Sequence, residues 1–442
     1  MKTIRILYLA ALALIVGACS NDNELVPEQP AEPQGIPFFA TIGIDNDGAL
    51  TRAIAENSEK LTPTWEVGDE VALIHNGVKD VVTVSDVDSY GFAAVTGKLT
   101  GSPASGDAVT VIYPASAADG TTGNVKEDLL YATGQLGTLD DIAAKYDVRR
   151  ANTKLKVDGG TATFQAAQFS LANQFCIFKL TVNCFDTGAP ELSVNSLCIR
   201  DADGNRLAVV TPSSGMHEVY VALPTTSTTL KFYAQCESKT YYNMSTTKVA
   251  LEKKYYKSTI TLATLGDVML ASGKCAKAGT TGAVAMLSRL PYTTGASKPA
   301  TRAFALEDAS STATEYHLAD DNVEAWAASH SVTGGTWAVP TALDWLYSFE
   351  SFGGSNDGYV NPDVVHNISK WGSDHNFTSG TFRGAMTAAG GDALQNIYWT
   401  CTGYLDYDMD HIYVYMFDSH IFRTMDITTG SKQYYTRAIL KF

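Results

Sequence analysis

Ile177-Phe178-Lys179-Leu180-Thr181-Val182 decides the fold class, because apolar and β-branched residues fill a run that has the length of one strand. Comparable runs, bounded by Gly, Pro and Asp, recur on both sides of it at 71–74, 81–84, 109–113, 219–223 and 230–234. Helical stretches are few and lie at 139–146, 322–329 and 342–349. Many short strands at regular spacing indicate β-sandwiches, so the sequence predicts a mainly-β protein.

Aspartates are close together at two places in the sequence where they could act as metal ligands. Asp203-Gly204-Asn205 predicts a hairpin turn. The further spaced oxygen ligands of a calcium loop do not follow Asp201 and Asp203. Asp406, Asp408 and Asp410 alternate, so on a strand they would share one face, either as calcium ligands or, as we favour, as a solvated face. We therefore predict no metal site and no cofactor.

The N-terminus has the pattern of an export signal. A short basic start precedes an apolar run at 6–16, which is too short to span a bilayer. Val16-Gly17-Ala18-Cys19 resembles a bacterial lipobox, which implies a signal peptide over 1–18 and lipidation of Cys19, with palmitate among the acyl chains. The alternative is ordinary cleavage beside an accidental cysteine. Residues 19–35 form a lipidated tether in this interpretation, because the run at 27–33 is proline-rich, and the small and acidic residues at 20–24 resemble signals that send lipoproteins to the outer face of an outer membrane.

Composition excludes one class of partner and leaves cysteine chemistry open. A net charge of -15 argues against nucleic acid, because phosphate binding needs clustered Lys and Arg. Of the seven cysteines, Cys176, Cys198 and Cys236 lie in apolar strand-like runs, which favours burial as small hydrophobes. Export also permits disulfides, and the sequence cannot resolve their pairing.

Ordered motifs in the first part of the chain carry a family resemblance. Phe38-Phe39-Ala40-Thr41-Ile42 comes first, followed by Leu50-Thr51-Arg52-Ala53 and Trp65-Glu66-Val67-Gly68-Asp69-Glu70-Val71. Further matches lie at 111–115, 135–139, 145–147 and 254–262. The order resembles the fimbrillin (Mfa-like) family of bacterial surface pilins. It implies two transthyretin-like β-sandwiches at 36–170 and 171–263, which assemble with other pilins by strand exchange after an arginine-specific protease removes the leader.

Arg52 is the natural processing site in this reading. If residues 36–44 form the first strand, a cut between Arg52 and Ala53 allows that strand to leave and exposes a sheet edge beside an apolar groove. Asp, Gly and Asn precede Arg52, and these residues favour exposed loops. The alternative is that Arg52 is a solvated loop arginine.

The composition of the chain changes near residue 266, since five of the six tryptophans lie after it. Three passages stand out, at 336–345, at Tyr398-Trp399-Thr400-Cys401-Thr402 and at 435–440. They resemble an appended C-type-lectin-like domain, which implies an α+β fold over 266–442 with Trp337, Trp345 and Trp399 in its core. The superfamily's calcium-dependent sugar motifs are missing from the sequence. We expect this segment to fold by itself.

Catalytic motifs are missing from the sequence, and His366 and His375 near Asp374 lie in a glycine-rich stretch that indicates a polar loop. We therefore predict a protein that is not an enzyme. The favoured function is a fimbrial tip subunit that binds a surface ligand, such as a glycan, through its last domain. The alternative is a pilus anchor or an unpolymerised carbohydrate-binding surface lipoprotein.

Overall fold

The structure is a computed structural model of the 442-residue chain. It describes residues 35–44, 55–57, 60–62, 64–130, 133–186, 188, 190–245, 248–251, 253–291, 301–355, 374–376, 378–404, 408–417, 421–426 and 432–442. Cys19, Arg52, Ala53, His366 and Asp406 lie outside the described residues, so the predictions for them stay predictions. Within the described ranges the chain is mainly β, as predicted.

The first sheet contains eight strands in the order β10-β1-β11-β9-β7-β4-β5-β6. Its strands are β1 (Ile36–Ile44), β4 (Glu70–His75), β5 (Val78–Val87), β6 (Ala93–Leu99), β7 (Ala108–Tyr113), β9 (Arg149–Asp158), β10 (Thr161–Phe164) and β11 (Ser170–Asn173). β2 (Ala55–Asn57) and β3 (Lys60–Thr62) form a separate ribbon. Because β1 also pairs with β6, this sheet closes on itself around one apolar core.

Two sheets enclose the second core. β12 (Phe175–Cys184) lies between β15 (Glu218–Pro224) and β20 (Tyr255–Leu262). The facing sheet has the order β18-β17-β13-β14-β8 and contains β8 (Thr133–Gln135), β13 (Ser196–Arg200), β14 (Arg206–Val210), β17 (Lys231–Cys236) and β18 (Lys239–Met244). A short pair joins β16 (Ser227–Thr228) to β19 (Val249–Ala250). The predicted hairpin at Asp203 is confirmed, because β13 and β14 pair antiparallel.

The segment between β7 and β9 packs with the second core rather than the first. It holds α1 (Glu127–Leu130) and α2 (Leu139–Tyr146), and Ile142 and Tyr146 are buried among side chains of the second sandwich. β8, from the same segment, adds a parallel strand to β14. This segment lies within the range predicted for the first sandwich, and the division at 170/171 stays a prediction.

The last part of the chain forms two sheets and three helices in the described residues. Its strands are β21 (Val268–Leu270), β22 (Cys275–Ala276), β23 (Ala283–Arg289), β24 (Arg302–Ala305), β25 (Thr336–Ala338), β26 (Asp374–Asn376), β27 (Ile397–Tyr404), β28 (Asp408–Met416), β29 (Ile421–Asp426) and β30 (Ile439–Lys441). The helices are α3 (Ala319–Ala327), α4 (Ala342–Ser351) and α5 (Phe382–Ala388). The sheet orders are β22-β21-β23-β24-β30-β25 and β26-β29-β28-β27.

Two of the three tryptophans that were predicted to lie in the core of this last part do so. Trp345 and Trp399 are both fully buried, and the Trp345 ring lies 4.2 Å from that of Phe304, centroid to centroid. Trp337 is half-buried instead, and its Nε1 donates a hydrogen bond of 2.7 Å to the carbonyl of His330. The likeness to C-type lectins stays a prediction.

Burial of the strand cysteines is confirmed, since Cys176, Cys198 and Cys236 are all buried. They occupy different surroundings: Cys176 and Cys236 lie in the core of the second sandwich, and Cys198 lies on the opposite face of its sheet.

Candidate strand-exchange site

The N-terminal strand β1 has partners along both of its edges. On one edge it pairs antiparallel with β6, from Ile36 opposite Leu99 to Ile42 opposite Ala93. On the other edge it runs parallel to β10 at Phe38 and to β11 at Gly43 and Ile44. β1 therefore completes a sheet whose β6 and β10/β11 edges would otherwise face each other across an open slot.

The inward side chains of β1 fill the core of the first sheet. Phe38 and Ile42 are fully buried, and the Phe38 ring lies edge-on to Phe164 with centroids 5.0 Å apart. Phe164 in turn packs edge-on against Phe169 at 4.8 Å. Phe39 points outward and is 55% exposed. Removal of β1 would uncover the apolar surface on which these aromatic rings pack.

Gly43 allows the strand to sit close to its neighbours. A Cβ added there would lie 2.7 Å from Cε1 of Phe92 and 2.9 Å from Oγ of Ser170, so any side chain would force these groups apart. The backbone N–H of Gly43 donates a hydrogen bond of 2.8 Å to the carbonyl of Phe169. The seat of β1 is thus specific in shape as well as apolar.

Electrostatics contribute little to the hold on β1, because residues 35–44 include no charged side chain. The strand is retained by main-chain hydrogen bonds and apolar burial, the two interactions that any strand of alternating pattern could supply in its place. Another apolar strand of suitable shape could therefore occupy the same slot.

The predicted site residues are distributed unevenly around this seat. Arg52 and Ala53 belong to the interval between β1 and β2 and lie outside the described residues. Asp201, considered above as a calcium ligand, stabilises its own turn. Its carboxylate accepts hydrogen bonds from the backbone N–H and the side-chain amide of Asn205 at 2.8 and 2.9 Å. Sequence reasoning missed Gly43, Phe164 and Phe169: Gly43 lies within the run at 36–44, but no strand was predicted near the two phenylalanines.

Two searches of the described residues concern other kinds of site. No helix in that part of the chain is long and apolar enough to cross a membrane. No cluster of three His, Cys, Asp or Glu side chains suited to a metal ion occurs among the residues that the structure describes.

Known proteins provide structural neighbours but no family assignment. No family model matches the chain, and no curated protein matches it. The chain is similar to a fimbrial protein from Bacteroides ovatus, at 11% identity and a TM-score of 0.27, with 93% of this chain and 100% of that one covered. A fimbrial assembly protein from Parabacteroides distasonis is similar at 12% identity and a TM-score of 0.27, covering 51% of this chain and 91% of that one.

A third neighbour is the minor pilin of Streptococcus agalactiae, at 10% identity and a TM-score of 0.21, covering 52% of this chain and 96% of that one. The low TM-scores mean that the chains superimpose loosely, so these likenesses carry no argument about function.

Proposed function

We propose that this chain is a surface-exposed fimbrillin-like subunit of a pilus, which accepts a donor strand from another pilin after cleavage between Arg52 and Ala53. The observation that carries the proposal is the way in which the first sheet holds β1. Phe38 and Ile42 fill the core, the backbone of β1 pairs with β6, and the strand has no charged side chain. A neighbouring subunit's strand with the same alternation would restore both the core and the sheet edges.

The six-stranded sheet that contains β30 supports a position at the tip of the pilus. β30 lies between β24 and β25, and its Ile439 and Leu440 are fully buried. Donating β30 to another subunit would uncover Ile439 and Leu440 and separate β24 from β25, with no partner strand to take its place. A subunit that accepts a strand without donating one belongs at the distal end, where its last domain is free for adhesion to a surface ligand.

Lipidation at Cys19 would hold the precursor on the outer membrane, and processing would release it into the pilus. The alternative function is a pilus anchor or an unpolymerised carbohydrate-binding surface lipoprotein, which keeps its lipid and its β1. The N-terminal residue of the mature protein separates the two, since the tip role requires Ala53 and the alternative requires lipidated Cys19. Neither role involves catalysis, a cofactor or nucleic acid.

The decisive experiment follows strand exchange directly. The Cys19→Ala protein is treated with an arginine-specific protease, and a biotinylated peptide copying residues 36–44 is added in a non-denaturing concentration of urea. We expect capture of the peptide only after cleavage, because the tethered β1 outcompetes it beforehand.

Two matched controls sharpen this result. Arg52→Lys should block both cleavage and capture, and a peptide with Asp in place of Phe38 and Ile42 should not bind. Cleavage at Arg52 without capture, or equal capture of the two peptides, would overturn the proposal.

A further inference from the structure

A cleft with a volume of about 700 Å³ lies where the second sandwich meets the last part of the chain. One wall is the turn between β17 and β18, with Ser238, Lys239 and Thr240. The opposite wall is formed by the end of α4 and by α5, including Phe352 and Gly384. Clefts at domain junctions are common places for ligand binding.

Gly384 is the informative residue in this cleft. It lies inside α5, where glycine weakens a helix relative to alanine. A Cβ at this position would meet no atom within 4 Å, so packing does not demand glycine there. Gly380, by contrast, has φ +53° and a Cβ there would collide with the Phe352 carbonyl. Because Gly384 lines the cleft and has open space before it, a side chain at this position would project into that space.

The lining groups suit a ligand that is polar but uncharged. The charged side chains of the lining, Lys239 and Glu350, have opposite signs and balance each other. Five hydroxyl groups lie around the cleft, from Ser238, Thr240, Thr264, Ser351 and Thr381. Each hydroxyl has one donor and two acceptor positions, so Thr381, which donates to the Phe352 carbonyl at 3.2 Å, can still accept hydrogen bonds.

An aromatic ring completes the chemistry. Phe352 lines the cleft and is only partly buried, with its ring supported edge-on by Phe382 at 5.5 Å between centroids. A fixed aromatic ring next to hydroxyl groups and a carboxylate matches a sugar, whose C–H face is apolar and whose hydroxyls both donate and accept.

We infer that this cleft binds a short neutral saccharide, held between the second sandwich and the last part of the chain. The inference deepens the adhesive role in the proposed function and names its ligand class, but it is independent of strand exchange. Because both walls contribute, the last part of the chain alone would present only half of the site.

The test uses the full-length Cys19→Ala protein with lactose, chitobiose and mannobiose as immobilised probes, followed by calorimetry with each sugar that binds. We expect at least one sugar to bind. Gly384→Leu should weaken that binding at least tenfold, because the new side chain occupies the cleft. Ser238→Trp, on the opposite wall, should weaken it as well.

Ala388→Leu is the matched control, because Ala388 is exposed on the same helix and does not line the cleft. It should bind as the parent does, and Gly384→Leu should melt no lower than the parent because leucine favours the helix. The inference is overturned if no neutral probe binds or if Gly384→Leu binds normally. Peptide capture by the cleaved protein is scored separately, so failure of either idea is visible alone.

Discussion

Asp147 and Arg149 form a buried ion pair where β9 begins. Arg149 Nε donates to Asp147 Oδ1 at 2.8 Å, and neither side chain is more than 2% exposed. Burial raises the pKa of Asp147 to about 7, an effect that the Arg149 guanidinium only partly offsets and that the negative charge of Asp69 reinforces. The group therefore titrates in a range where ordinary aspartates are fully ionised.

This residue predicts a specific pH dependence. The folded chain binds the Asp147 proton more tightly than the unfolded chain, whose pKa is about 3.9. The side chain's contribution to the free energy of unfolding is therefore full below about pH 4 and is lost as the pH rises through about 7. We expect the unfolding free energy of the parent to fall relative to that of Asp147→Asn as the pH rises across that window, as measured in urea titrations.

A difference in unfolding free energy between the parent and Asp147→Asn that stays constant with pH would contradict the assignment.

At the scale of elements, Arg437 fastens the terminal strand β30. It is fully buried, and its Nε donates to Asp308 Oδ1 at 2.8 Å. Its Nη1 donates to the carbonyls of Ala305 and Leu306 at 3.2 and 2.9 Å. The arginine of the terminal motif at 435–440 is thus a structural residue that ties the end of the chain to the segment after β24.

Removing this guanidinium should destabilise the last part of the chain strongly. Arg437→Met removes the guanidinium that pairs with the Asp308 carboxylate and bonds the Ala305 carbonyl, and breaking a buried ion pair costs about 3–5 kcal/mol. Urea denaturation monitored by tryptophan fluorescence measures this loss. Lys432→Met, at an exposed position, should change stability by less than about 0.5 kcal/mol. Equal stability of the two variants would contradict the role of Arg437.

Local signals made some elements predictable. Thr138 and Thr341 precede the helices predicted at 139–146 and 342–349, and both side chains accept a hydrogen bond from the first turn, from Asp141 N and Asp344 N. α5 was missed, since Gly384 and Thr387 weaken its helical pattern. Its helical state depends instead on the burial of Phe382 and Met386 in the core.

At the scale of the whole molecule, the two candidate sites differ in how far sequence could reveal them. β1 is one continuous run, so its strand character could be read from Ile36 to Ile44. The cleft joins residues near 238, 264, 350 and 384, and only the packing of distant elements brings them together. No local pattern encodes such a site, and the meaning of Gly384 becomes visible only when the space around it is known.

The five-stranded sheet of the second sandwich is covered by apolar side chains on both of its faces. Leu197 and Ile199 of β13 face the second core, whereas Cys198 between them faces a different cluster. β17 repeats this arrangement, with Phe232 inside and Tyr233 on the outer face. A strand buried on both faces has a continuous apolar sequence, as these two strands do.

The cluster on the outer face is shared with the last part of the chain. Tyr233 and Tyr242 pack there with Met269, Leu287 and Leu440, all of which are buried. Cutting near residue 265 would expose both halves of this apolar cluster to water, so independent folding of 266–442 stays a prediction and we expect the isolated segment to be less stable than in the whole chain.

We expect the fragment 266–442 to melt at a lower temperature than the fragment 36–442 and to bind a hydrophobic dye, because only the longer fragment keeps Tyr233 and Tyr242 over Met269 and Leu287. Near-ultraviolet circular dichroism and dye fluorescence measure the two effects. In the longer fragment, Tyr242→Ala should reproduce part of the loss, since this residue is fully buried and contacts the ring of Phe442 with centroids 6.1 Å apart. If the short fragment melts at the same temperature as the long one and does not increase the fluorescence of the dye, the shared cluster contributes nothing to the stability of the last part of the chain.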